Sequence, residues 1–254
     1  MARSKLPILM AVPDSDFDPT ESAVPWRILK NAGFEIVFAT PEGGRAAADP
    51  IMVSGKGLGL LKGSMRAGAP GREAYAEMES SSAFGKPVRY ADLRVESYSA
   101  LMLPGGHAKG MRQYLESETL QKFVGDFFAS GKPVGAVCHG VVLAARSKNP
   151  KTGKSVLDGK RTTALPLWME MLAWNLTRTW MGDYYRTYLD KTVEGEVREA
   201  LGSGAFERGP LGLGRDSEEN QKAGFTVRDE NYLSARWPGD AHRFGHEFVE
   251  MLNG

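Results

Sequence analysis

The sequence predicts an α/β fold: a parallel sheet sandwiched by helices, with helical or irregular insertions forming a cap. Three observations carry this. Two short apolar runs, 6–12 (LPILMAV) and 34–39 (FEIVFA), flank a helix-like segment. Strand, helix and strand in so short a span imply a parallel pair joined by a right-handed crossover. A third apolar run, 133–137 (PVGAV), leads straight into Cys138 and a helix start, and amphipathic stretches at 120–128 and 242–252 supply helices to cover the sheet.

Each element follows in order. The run 6–12 ends at Pro13, as a buried parallel strand does. The segment from Met1 to Pro13 carries two early cations, Arg3 and Lys5. It meets Asp14, Asp16 and Asp18 without a small-residue cleavage site, so it reads as a strand rather than a secretory leader. Residues 21–32 read as a helix with Trp26, Ile28 and Leu29 on its buried face, Pro25 in its first turn and Gly33 at its end. Thr40 to Arg89 is rich in Gly, Ser and Ala. A structureless run of that length is unusual inside a domain, so residues 45–89 are expected to form a helical excursion or lid. Residues 98–103 form a strand ending in Pro104-Gly105-Gly106-His107. A helix with Leu120, Phe123, Val124, Phe127 and Phe128 on one stripe follows and stops at Gly131.

After strand 133–137, a helix is expected over 141–146, a strand over 161–165 and an aromatic-rich helix over 167–180. Residues 183–213 read as irregular, within a second insertion over 183–222. Late strands at 225–228 and 232–235 surround Asp229-Glu230-Asn231. A helix over 242–252 closes the chain, with Phe244, Phe248, Met251 and Leu252 on one face. No repeat and no linker interrupts the run, so 1–254 is expected to be a single domain.

Composition excludes several functions. Of 254 residues, 42% are hydrophobic and 25% charged, enough for a sizeable core. Lys plus Arg number 32 against 31 Asp plus Glu, so no basic footprint points to nucleic acid or an anionic membrane. No apolar run approaches the roughly 20 residues a bilayer requires. One cysteine permits no internal disulfide, which suits a reducing cytoplasm, and four scattered histidines with it do not suggest a metal or any other cofactor.

The sharpest chemical signal is Val134-Gly135-Ala136-Val137-Cys138-His139-Gly140. A buried strand that turns at once into a helix holds one side chain at the sheet edge, where open α/β sheets bind ligands. Ala136 and Gly140 leave room for that turn, giving the geometry of a nucleophile elbow with cysteine as the nucleophile. The positive end of the helix is expected to favour a thiolate, and the His139 N–H to face the same space. A buried structural cysteine is the alternative. His139 directly follows Cys138, so adjacency alone gives it no role. The amides around Gly105, Gly106 and His107 reach the same edge and are candidates for an oxyanion site.

These residues resemble the ThiJ/PfpI superfamily, the group related to the Parkinson's-associated DJ protein, with its flavodoxin-like, class I glutamine amidotransferase-like core. Three segments carry the likeness: Glu21-Ser22-Ala23-Val24-Pro25-Trp26 with 33–44 (GFEIVFATPEGG), Leu103-Pro104-Gly105-Gly106-His107, and Ala136-Val137-Cys138-His139-Gly140. Their order is similar to that of the larger branch containing heat-shock chaperone and glyoxalase III-like proteins. The likeness is strong over 1–165 and thin afterwards, where 233–241 (LSARWPGDA) replaces the family's VTGxNPxS stretch. The resemblance implies Cys138 as nucleophile, a protonated Glu21 beside it, His139 as imidazole partner, Glu170 as the acid that orients the histidine, and a homodimer. Trp168, Trp174, Trp180, Tyr184 and Tyr185 are assigned to core packing ahead of a pocket or dimer interface. The leading expectation is a cytoplasmic glyoxalase III-like enzyme acting on small 2-oxoaldehydes or their protein adducts. A Cys-dependent amidase or peptidase, or a stress chaperone or redox sensor, would use the same thiol.

Overall fold

The computed structural model describes residues 6–254; Arg3 and Lys5 lie outside that range. Seven strands form the main sheet: β1 (Ile8–Ala11), β2 (Ile36–Thr40), β3 (Val88–Arg89), β4 (Ala100–Leu103), β5 (Val134–Val137), β6 (Thr226–Asp229) and β7 (Tyr232–Ala235). Their order is β6-β7-β5-β4-β1-β2-β3, with every pair parallel except the β6–β7 hairpin. The order runs outward in both directions from β1. The crevice beyond the carboxyl ends of β1 and β4 is therefore the switch point where such sheets bind ligands. β1, β4 and β5 are buried along their whole length, which is why they read as unbroken apolar runs instead of alternating ones.

Seven longer helices accompany the sheet: α1 (Pro19–Asn31), α2 (Ala69–Ser80), α3 (Glu118–Ala129), α4 (His139–Arg146), α5 (Leu167–Met181), α6 (Val193–Ala200) and α7 (Ala241–Asn253). α1 packs against α2 and α7, while α4 packs with α3 and α6 in a second layer. The result is the flavodoxin-like α/β sandwich. No helix among the described residues is long and apolar enough to cross a membrane.

The differences from the sequence reading have local causes. α1 begins at Pro19 because the Asp18 side chain caps it, accepting the Thr20 and Glu21 amides at 2.7 and 3.0 Å. Pro19 then takes the first helical position, and Pro25 lies inside the helix instead of in its first turn. The strand expected at 161–165 shrinks to Arg161–Thr162 and pairs with Ala205–Phe206 outside the main sheet. It borders β6 and β7, but its amides go to side chains: Arg161 N–H to Asp229 and Thr163 N–H to Ser234. The two presumed insertions are each split. α2 and α6 bury Ala74, Met78 and Val197 completely and belong to the helical layers. Val88–Arg89 supplies β3, and residues 50–66, with short helices Pro50–Ser54 and Lys62–Met65, form a cap whose Met52 and Leu58 cluster with Tyr185.

Candidate active site

The elbow is strained as well as tight. Cys138 has φ 53° and ψ −118°, a backbone conformation that L-residues with a side chain rarely adopt, and α4 starts on the next residue. This conformation throws the thiol off the end of β5 toward the switch-point crevice. Glu21 reaches the same place from the first turn of α1. Its Oε2 accepts the Gly105 N–H at 3.0 Å, and its carboxyl lies beside the Cys138 thiol. A Cβ on Gly105 would lie 2.7 Å from both the His139 nitrogen and the Val137 oxygen, so only glycine lets the turn after β4 approach the end of β5 and the start of α4 so closely.

Cys138 and His139 are adjacent, yet the turn brings them together: His139 Nδ1 lies 3.4 Å from Sγ. The other ring nitrogen, Nε2, lies 3.0 Å from Thr187 Oγ1. Thr187 donates its single hydroxyl proton to the His107 carbonyl at 2.6 Å, so it can only accept from the imidazole. The proton of neutral His139 is thereby fixed on Nε2, and the bare Nδ1 lone pair faces the sulfur.

Thr187 thus occupies the place expected for Glu170. The Glu170 carboxylate accepts the Val193 N–H at 3.0 Å and pairs with Arg186 at 3.1 Å. Both partners are buried, so Glu170 anchors α5 to the start of α6 and does not orient the histidine. Of the oxyanion donors expected from sequence, the Gly105 amide is engaged by Glu21. His107 lines the cavity, stacked on Tyr185 at 4.5 Å and edge-on to Tyr184 at 4.9 Å. Gly106 also lines it, while Gly140 packs beneath the elbow against β4.

Electrostatics corrects the expected thiolate. Cys138 is only 4% exposed. Burial, then the nearby Glu21 and Asp18 carboxyls, push its thiol well above the usual cysteine range, outweighing the His139 N–H. Burial, followed by Asp18, also pushes Glu21 well up, which favours its protonated form. Burial, aided by the charges of His107 and Arg146, lowers His139 to about 3, so the imidazole is neutral. The resting cluster is thiol, neutral base and neutral acid, poised to move a proton during reaction instead of storing a charge.

Asp18 completes the floor. Burial raises it to about 6 despite the two amides it accepts. Its stabilising protonation is fully present below the ordinary aspartate value of 3.8 and is lost as pH rises through about 6. Asn caps a helix as well as Asp does. Asp18→Asn is therefore expected to stabilise the protein by up to about 3 kcal/mol at pH 8 and to change little at pH 4, from about 1.4 kcal/mol per pKa unit. Urea unfolding of both proteins at the two pH values checks this.

The cluster opens into a cavity of about 300 Å³. Its floor holds Asp18, Glu21, Gly106, His107 and Cys138; its walls come from the cap, α5, Tyr185, Leu213 and Trp237. The sequence reading missed Asp18, Thr187 and Trp237. The run Asp18-Pro19-Thr20-Glu21 is a readable helix cap, whereas nothing local marks Thr187.

Comparison with known proteins agrees with this architecture. The glutathione-independent glyoxalase hsp3102 of Schizosaccharomyces pombe is 28% identical over 149 residues, covering 57% of this chain and 58% of that one. The uncharacterized protein C14C4.04 of the same organism is 25% identical over 194 residues, covering 74% and 69%. The chain thus spans little more than half the length of the curated glyoxalase. Glyoxalase III from Candida albicans shares the fold, with TM-score 0.68 and 19% identity over 97% of both chains, as does Drosophila melanogaster DJ-1beta with TM-score 0.58 and 14% identity over 98% of this chain and 91% of that one. A family pattern described as ThiJ/PfpI family-like spans residues 12–201, taking in Glu21, the Gly105 turn, the Cys138 elbow and Thr187, and by that match the chain belongs to the ThiJ/PfpI-like family.

Proposed function

We propose that this protein is a cofactor-independent enzyme in which Cys138 converts small 2-oxoaldehydes to 2-hydroxy acids, methylglyoxal to lactate in the simplest case. The observation that carries the reading is the relay Thr187–His139–Cys138, with the Glu21 carboxyl beside the same sulfur. In the first step Sγ bonds to the aldehyde carbon while the thiol proton passes to His139 Nδ1. Glu21 donates its proton to the carbonyl oxygen, giving a hemithioacetal. Loss of the C1 proton to a site base and protonation at C2 through the enediol give a 2-hydroxyacyl thioester. Water then releases the acid and regenerates the thiol. The relatedness to glutathione-independent glyoxalases supports this reading. Amide hydrolysis is less favoured, because the Gly105 amide, one of those expected to hold an oxyanion, is already engaged by Glu21, whereas hemithioacetal formation needs only the proton of Glu21.

Incubating the purified protein with methylglyoxal and following lactate tests the proposal; absence of turnover across pH 6–9 would refute it. The relay makes a further prediction. In Thr187→Val the His139 Nε2 loses its acceptor and the proton moves to Nδ1, which blocks the base. kcat is expected to fall about 10- to 100-fold with KM nearly unchanged. Thr187→Ser is expected to restore most of the rate, which a merely structural role for the threonine methyl would not allow.

A further inference from the structure

We infer that the preferred substrate carries a long or aromatic apolar substituent on its ketone carbon, and that methylglyoxal fills only the polar end of the site. This rests on the reading above and deepens it. A cavity of about 300 Å³ falls in the range, roughly 300–1,000 Å³, that encloses a drug-sized ligand, not five heavy atoms. Its polarity is divided. Cys138, Glu21, Asp18 and His107 gather at the floor, and most of the remaining lining is apolar, with Ser64, Glu170 and Arg215 as its other polar side chains.

The arrangement of α5 is the strongest indication. Met169, Leu172, Ala173 and Leu176 recur at i, i+3, i+4 and i+7, the stripe by which a helix ordinarily packs on a core. Here that stripe lines the cavity. Leu172 and Leu176 remain 37% and 48% exposed, and Leu213 opposite them 54%. An apolar chain running from the thiol toward this lip would cover side chains that the protein itself leaves wet. Leu172, Leu176 and Leu213 leave this end of the cavity partly open to solvent. A longer chain should gain until it reaches Leu172, Leu176 and Leu213, and should not be rejected beyond them.

Transfer of one methylene from water is worth roughly a three- to four-fold gain. Across methyl-, propyl-, pentyl- and heptylglyoxal, kcat/KM is expected to rise by about two orders of magnitude and then level off, with phenylglyoxal well above methylglyoxal. A series that is flat or falling, with methylglyoxal turnover intact, would overturn the inference and leave the proposed activity standing.

A second readout does not depend on turnover. Cys138 is the single cysteine, so alkylation is counted cleanly by intact mass. N-hexyl iodoacetamide is expected to modify it at least ten-fold faster than iodoacetamide, after correction for their rates with free cysteine. Ala173→Phe, which fills the stripe, and Leu176→Gln, at a half-exposed position that does not threaten folding, are expected to erase most of that preference. No turnover of any 2-oxoaldehyde together with selective alkylation would sink the enzymatic reading while upholding an apolar-selective site. Equal alkylation by the two reagents would sink the inference.

Discussion

Cys138→Ser is expected to lower kcat/KM for methylglyoxal by at least about 10³-fold, to a level indistinguishable from buffer, while leaving the protein folded. Three features make the effect large. The proposed sequence passes through an S–C bond and a thioester, and a serine hydroxyl, far less acidic than a thiol, yields its proton to His139 far less readily. Removing a nucleophile that works as a unit with its base abolishes nearly all the rate that unit supplies. Retained fold is expected because the change replaces one buried atom by a smaller one and keeps the Cβ the strained backbone already tolerates. Lactate formation measured beside a thermal melt separates the two outcomes. Turnover within ten-fold of wild type would place the nucleophile elsewhere and end the mechanism. The charge-neutral resting cluster adds a consequence: activity that depends on transferring a thiol proton should not track a low-pKa thiolate titration, and the rate should keep rising above neutral pH as the elevated thiol begins to ionise.

The sequence carried the fold through its apolar runs because β1, β4 and β5 are buried on both faces, and burial on both faces leaves an unmistakable mark in residue type. The elbow was equally readable, since Val137-Cys138-His139-Gly140 combines a strand end, a small residue and a helix start in one stretch. What could not be read was anything fixed by distant contact. Thr187 orients His139 across 48 positions from a segment with no periodicity. Glu170 had the right chemistry and a suitable position along the chain, but Arg186 and the Val193 amide claim its oxygens. The expectation of a thiolate failed for a related reason. A helix terminus is visible in sequence, whereas the burial of Cys138 and the approach of Glu21 and Asp18 emerge only when three elements meet, and together they outweigh it. Tyr185 was assigned to core packing, yet it lines the cavity, because residue type reports that a side chain is apolar without saying whether protein or ligand covers it.

Gly140→Ala tests the elbow as architecture. An added Cβ would sit 1.9 Å from the Leu103 oxygen, 2.7 Å from its carbonyl carbon and 3.0 Å from the Pro104 oxygen. All three are main-chain atoms. No side chain can swing aside, so α4 must withdraw from the end of β4 by more than an ångström or the turn must open. Overpacking that forces backbone movement commonly costs about 1–3 kcal/mol, and the rigidity of two opposed main-chain segments puts this case at the upper end or beyond, about 3–5 kcal/mol. Against a typical total stability of about 5–15 kcal/mol, this is a large share. The same withdrawal would carry His139 away from Thr187 and tilt Cys138 off Glu21, so any folded fraction should be inactive as well as unstable. A urea midpoint far below wild type, with turnover lost in the soluble fraction, is the expected result. An alanine variant melting within two degrees of wild type would mean that α4 and β4 do not meet as closely as the Leu103 oxygen implies, and the strained seat of Cys138 would need another explanation.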